Sequence, residues 1–210
     1  MARAKKVITI HVQDDREKEE FLKELQKLRL PAFIYVHGKL NDLKINIQGT
    51  KEEIREATYK IKEIHNRVRA KLYPDRRGLY RYNLDDLFRG AGASVSTPIL
   101  VKTLELLGET VEVKNGELVT SMPWEEIIKL VGRLGEYLGD VSLQTTRQIR
   151  EVILPVAIRY NLDPEEVIDI LLELGLAEWK EDKFKYELVK NKEQALEILL
   201  KHLKGEEDED

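Results

Sequence analysis

The chain has 210 residues, of which 42% are hydrophobic and 35% charged, with a formal net charge of −4 and no cysteine. The lack of cysteine excludes disulfides, thiol catalysis and cysteine-ligated zinc, and no apolar run approaches the ~20 residues that a membrane-spanning helix needs. The charge is uneven: residues 1–82 carry 20 Lys or Arg against 12 Asp or Glu, residues 83–140 carry 5 against 10, and residues 141–210 carry 10 against 17.

A basic first third and an acidic remainder imply different partners, or mutual docking. Abundant Lys, Arg and Glu with only 2 Met is also the composition expected of proteins from hot environments. The opening MARAKKVITI passes straight into a strand pattern, without the apolar core and cleavage site of an export signal, so a cytoplasmic location is expected.

From Lys6 to Val12, Ile8, Ile10 and Val12 alternate with Thr9 and His11, the period of a half-buried strand. Asp14 and Asp15 then open a helix carrying Phe21, Leu22, Leu25 and Leu28, which Pro31 ends. AFIYVHG and LNDLKINIQG predict a hairpin turning near Gly38, with Ile34, Val36, Ile45 and Ile47 on the core side. The opposite face would gather Thr9, His11, Phe33, Tyr35, His37, Lys44, Asn46 and Gln48. Aromatics beside amide and lysine donors on an open sheet suit stacking and reading of single-stranded RNA. The alternative is a face covered by protein. Thr50 and Glu53 form a capping box for a helix with Ile54, Ala57, Ile61 and Ile64 on one stripe, running to about Leu72. Leu79 to Leu84 is expected to add a final strand, completing a ferredoxin-like sheet.

The stretch NRVRAKLYPDRRGLYRY, residues 66–82, carries Arg67, Arg69, Lys71, Arg76, Arg77 and Arg81 among Tyr73, Tyr80 and Tyr82. Cations set among rings match a phosphate backbone with unstacked bases. The expected nucleic-acid-binding set is therefore those six cations for phosphate, with Tyr80, Tyr82, Phe33 and Tyr35 for stacking. The competing expectation is a solvated helix end and linker whose tyrosines pack inside the protein.

LNDLKINIQGTKEEIREATYKIKEI resembles the end of a KH domain. That family holds nucleic acid with a Gly-x-x-Gly loop between two helices, and this chain has one helix and no such loop, so the resemblance implies binding only through another surface. The N-terminal module together with YRYNLDDLFRGAGASVSTPILVKTLELLG is similar to an archaeal protein family of unknown function, which implies no activity.

Beyond Tyr82, a short helix is expected over Asn83–Arg89. A run of small residues then leads to Thr97-Pro98 at the start of another helix, and Asn115-Gly116 turns a hairpin. A helix follows from Pro123. From Thr145 the order returns: a long helix containing Pro155, a helix from Asp163-Pro164, a hairpin around Glu181-Asp182 and a last helix from Asn191. LELLG at 104–108 and LLELG at 171–175 suggest a repeat.

The expected fold is thus α+β, with a KH-like or ferredoxin-like module over 1–82 and two mainly helical winged-helix-like units over 83–140 and 141–204. A disordered acidic tail would occupy 205–210. The second helix of the last unit carries Glu165, Glu166, Asp169 and Glu173, which a duplex would repel, so the helical units are expected to mediate protein association, with a homodimer as the outcome. Gly90 and Gly92 offer a weaker reading as an anion or nucleotide cradle. No catalytic set, metal site, cofactor or small-molecule substrate is expected. The leading expectation is a non-enzymatic nucleic-acid-binding protein, RNA or single strands preferred. The alternative is an interaction or scaffold protein with no nucleic-acid role.

Overall fold

The alternating apolar residues near the N-terminus form β1 (Ala4–His11) in a computed structural model of the chain, which describes residues 2–209. After it come α1 (Asp15–Lys27), β2 (Phe33–Lys39), β3 (Asp42–Gly49) and α2 (Lys51–Leu72). The sheet is antiparallel in the order β1-β3-β2. Each local signal has its partner: Asp14 caps α1 by accepting from Glu17 N at 2.8 Å. The Thr50–Glu53 box closes at 3.2 and 2.8 Å, filling amides that a helix start leaves open.

Ile34 lies opposite Ile47, and Val36 opposite Ile45, as the core pattern requires. Ile10, Val12, Ile45 and Ile47 meet Phe21 of α1 and the Ala57, Ile61, Ile64 stripe of α2 in one buried cluster. Each large side chain there contributes roughly 1.5–3 kcal/mol. Both helices cover the same side of the sheet, so the other side has no layer from this cluster.

Two expectations about this unit change. The hairpin turns at Leu40-Asn41, and Gly38 stays inside β2, where a Cβ would lie 2.2 Å from the Asp42 carbonyl oxygen. The fourth strand of a ferredoxin-like sheet is not added: β4 (Tyr80–Asn83) pairs in a different sheet, ordered β4-β6-β5, with β5 (Val111–Lys114) and β6 (Glu117–Thr120). The strand is only four residues long, and its partner β6 begins at Glu117, far along the chain and beyond the reach of local pattern.

The chain divides after Arg81 into two compact units. The second contains α3 (Leu84–Ala91), α4 (Thr97–Leu106), the β5-β6 hairpin and α5 (Trp124–Val141). It continues with α6 (Arg147–Tyr160), α7 (Pro164–Glu173), the β7–β8 hairpin (Ala177–Lys180, Lys185–Leu188) and α8 (Lys192–Glu207). The α4 and α7 starts lie 67 residues apart and the α5 and α8 starts 68 apart, so the helix-helix-hairpin-helix order does recur. Helix α6 runs through Pro155 and is buried at Ile149 and from Glu151 to Ile158. It touches α4, α5, α7 and α8, and thereby joins both halves. Helix α8 continues through Gly205 to Glu207, so the acidic end begins as helix and not as the expected disordered tail.

Candidate nucleic-acid interface

Strand register turns the bare side of the β1-β3-β2 sheet into four cross-strand rows. Lys5, Gln48 and Phe33 form one; Val7, Asn46 and Tyr35 the next; then Thr9, Lys44 and His37; and last His11, Asp42 and Lys39. Phe33 is 69% exposed, Tyr35 59% and Val7 57%, so three large apolar side chains face solvent on adjoining rows. The Tyr35 and His37 rings stack at 5.5 Å between centroids and 28° between planes. The Asn46 amide nitrogen sits 3.2 Å from His37 Nδ1. Asp42, the one carboxylate in these rows, is 2.8 Å from His11 Nδ1. Lys5, Lys39 and Lys44 are exposed. The face combines ring surfaces, amide donors and cations.

The sequence pattern located most of this surface but missed Lys39 and Asp42 next to the turn, and at the start of β1 it missed the pair Lys5 and Val7. Continuing the alternation two and four residues back from Thr9 finds both, since β1 begins at Ala4 rather than Lys6.

The arginine-rich segment lies elsewhere. The buried stripe of α2 faces the sheet's other side, which puts Arg67 and Arg69 in the helical layer, away from Phe33 and Tyr35. Arg67 and Arg76 are exposed and form no ion pair with another described residue. Lys71 Nζ is 2.7 Å from Glu20 Oε1. Partial burial raises the Glu20 carboxyl, but the hydrogen bond and charge of Lys71 outweigh that and hold it below the ordinary glutamate range. Arg69 Nε lies 3.5 Å from the fully buried Glu17, which also meets His65 Nε2 at 3.0 Å and accepts from Gln13 N at 2.7 Å.

Asp75 accepts from Arg77 N and Leu79 N at 2.8 and 3.1 Å, and with Gly78 at a φ of 78° it ties PDRRG into a turn. Arg77 is 3.7 Å from Asp75 across an exposed pair. The Leu79 and then the Arg77 amide bonds hold the Asp75 carboxyl below its usual range despite some desolvation. Tyr73 donates to Asp14 Oδ2; burial first, and then this bond, push its phenol up to about 12. A cleft of about 300 Å³ lined by Gln13, Arg69, Tyr73, Asp75 and Arg81 forms here.

Tyr82 leaves the stacking set. It is 1% exposed, its hydroxyl donates to the Met122 carbonyl at 2.7 Å, and its ring lies 5.4 Å from that of Trp124. Tyr80, two residues earlier on the same strand, is half-buried, and Arg81 between them is exposed. Lys71 also leaves the phosphate set, its ammonium being held by Glu20. Gly90 and Gly92 are not a cradle: a Cβ on Gly90 would lie 2.8 Å from Trp124, and Gly92 caps α3 at a φ of 67°. The small residues there let α3 approach α5.

Comparison with known proteins matches residues 10–197 to a family described as an uncharacterized protein conserved in archaea, DUF2067. The chain belongs to this archaeal family. A curated relative, Uncharacterized protein MJ0388 of Methanocaldococcus jannaschii, is 22% identical over 209 residues, covering 97% of both chains. No solved structure matches the chain. Among the described residues of this family member, no helix is long and apolar enough to cross a membrane, and no group of three or more His, Cys, Asp or Glu could hold a metal.

Proposed function

We propose that the protein is a non-enzymatic binder of single-stranded nucleic acid, RNA preferred, and that the open side of the β1-β3-β2 sheet is where strands dock. One observation carries this reading: Phe33 and Tyr35 project into solvent from alternate positions of β2, about 6.6 Å apart along the strand. That spacing seats two splayed bases, and lysine and amide groups in the adjoining rows serve phosphate and base edges. Arg67 and Arg76 act at longer range, raising the local concentration of polyanion rather than gripping it.

The same apolar rows also suit a second protein surface, which is the alternative to be separated by experiment. The test is fluorescence anisotropy of a labelled single-stranded RNA with the full chain at low salt, repeated with Phe33→Ala/Tyr35→Ala, with light scattering on both proteins. Salt-sensitive binding that the double variant loses supports the proposal. No binding at low salt by the folded protein rejects it, and a dimer that the double variant dissolves would then assign the face to self-association.

A further inference from the structure

Register sets each exposed ring of β2 directly across from a side-chain amide of β3: Phe33 lies opposite Gln48, and Tyr35 opposite Asn46. Directly opposed residues have Cβ atoms about 4.5–5.5 Å apart, so a base stacked on either ring lies within reach of the amide beside it. Both pairs fall on the side that the helices leave bare, where Gln48 is exposed and Asn46 half-buried. The next pair along, His37 opposite Lys44, ends the series and supplies a cation on the same face as Asn46.

The Tyr35 row is also held in place. His37 stacks on the Tyr35 ring, and the Asn46 amide nitrogen is 3.2 Å from His37 Nδ1. With the nitrogen turned to that ring, Asn46 keeps its carbonyl oxygen and its second N–H for a ligand. A side-chain amide pairs with a donor and an acceptor that stand side by side on a base edge. Adenine presents that pattern on both edges open in a single strand: N6–H beside N7, and N6–H beside N1. Guanine carries two acceptors, O6 and N7, on its Hoogsteen edge, so it satisfies an amide from its Watson–Crick edge alone. Cytosine and uracil likewise offer one such edge, and their single ring covers less of Phe33 or Tyr35 than a purine does.

We infer that the sheet face reads adenine, two adjacent bases at a time, by stacking them on Phe33 and Tyr35 and pairing their edges with Gln48 and Asn46. The inference rests on the RNA reading of this face and adds base identity to it. Asn46 and Gln48 are the specificity-determining residues. His37 is a positioning residue, acting through the Asn46 amide that it orients.

Fluorescence anisotropy with the full chain at one low salt concentration tests it, on short labelled oligouridylates carrying a central pair of adenines, guanines or cytosines, or no insert. The adenine oligomer should bind about tenfold more tightly than the others. Asn46→Ala/Gln48→Ala should erase the margin of adenine over guanine while leaving affinity for the all-uridine oligomer unchanged, since the rings and lysines remain. His37→Phe, which keeps a ring beside Tyr35 but no nitrogen, should narrow the same margin. A second measurement needs no variant: replacing the two adenines by purine, which lacks the exocyclic amino group, should weaken binding about tenfold. Equal affinity for the adenine and guanine inserts overturns the inference while the RNA reading stands. So does a margin that survives in the folded amide variant, or undiminished binding with purine in place of adenine. No binding of any oligomer overturns both.

Discussion

Tyr35 and Tyr82 are both tyrosines on short antiparallel strands, each two residues from another exposed or half-exposed ring, yet they have opposite fates. Tyr35 stands 59% exposed on a sheet that helices cover from one side. Tyr82 is sealed against Trp124 with its hydroxyl bonded to Met122. Alternation along a strand separates two faces but does not say which face is dry. That is decided by the layer packed on top, and the layer comes from distant sequence.

The comparison predicts a division of labour that substitutions can break. The largest effect belongs to Tyr82→Ala, which should destabilise the protein by about 3–5 kcal/mol in chemical denaturation. Tyr35→Ala should change stability by less than about 0.5 kcal/mol. Comparable losses at the two positions would mean that the sheet face is covered. Second in size is RNA affinity: Phe33→Ala and Tyr35→Ala should each weaken it by about 1–3 kcal/mol, read by anisotropy.

A pH series sharpens the contrast with the arginine-rich segment, whose tyrosine is anchored. Tyr73 has a phenol raised to about 12 from its ordinary 10.0. The neutral form is therefore favoured by folding: its contribution is complete below the ordinary value and is lost as pH rises towards the folded one. Stability should fall over that alkaline interval, and Tyr73→Phe should flatten the fall. The Glu20 carboxyl, depressed by Lys71, works in the other direction, stabilising above the ordinary glutamate range and failing as acid is added; Lys71→Met should blunt that acid sensitivity. The smallest effect is expected from Arg67→Ser/Arg76→Ser, within about 0.5 kcal/mol on stability. This pair should cost less RNA affinity than either ring, and a larger loss would return the interface to the arginine segment.

Much of the fold was legible because its signals are local. The Thr50–Glu53 box, the Asn115-Gly116 turn and the Asp163-Pro164 start each act within a few residues, and the 67-residue repeat follows from LELLG at 104–108 and LLELG at 171–175. The sheet joined by Tyr80–Asn83 was not legible, since pairing with Glu117–Thr120 is settled by tertiary packing. The candidate site was half visible. Phe33, Tyr35 and Lys44 follow from alternation, whereas the cations of residues 67–81 gain their apparent unity from adjacency in sequence. In the folded chain Lys71 turns to Glu20, Arg77 to Asp75 and Tyr82 to the interior.

Helix α6 bears on how the second unit comes apart. Buried at nine positions and touched by helices of both repeats, it leaves neither repeat an exit of its own, since freeing one strips cover from a segment that the other also needs. The two halves, alike on paper, are thereby welded into a single cooperative body. The backbone amides of α6 should be the last in that body to trade hydrogen for deuterium, yielding only when the whole unit opens.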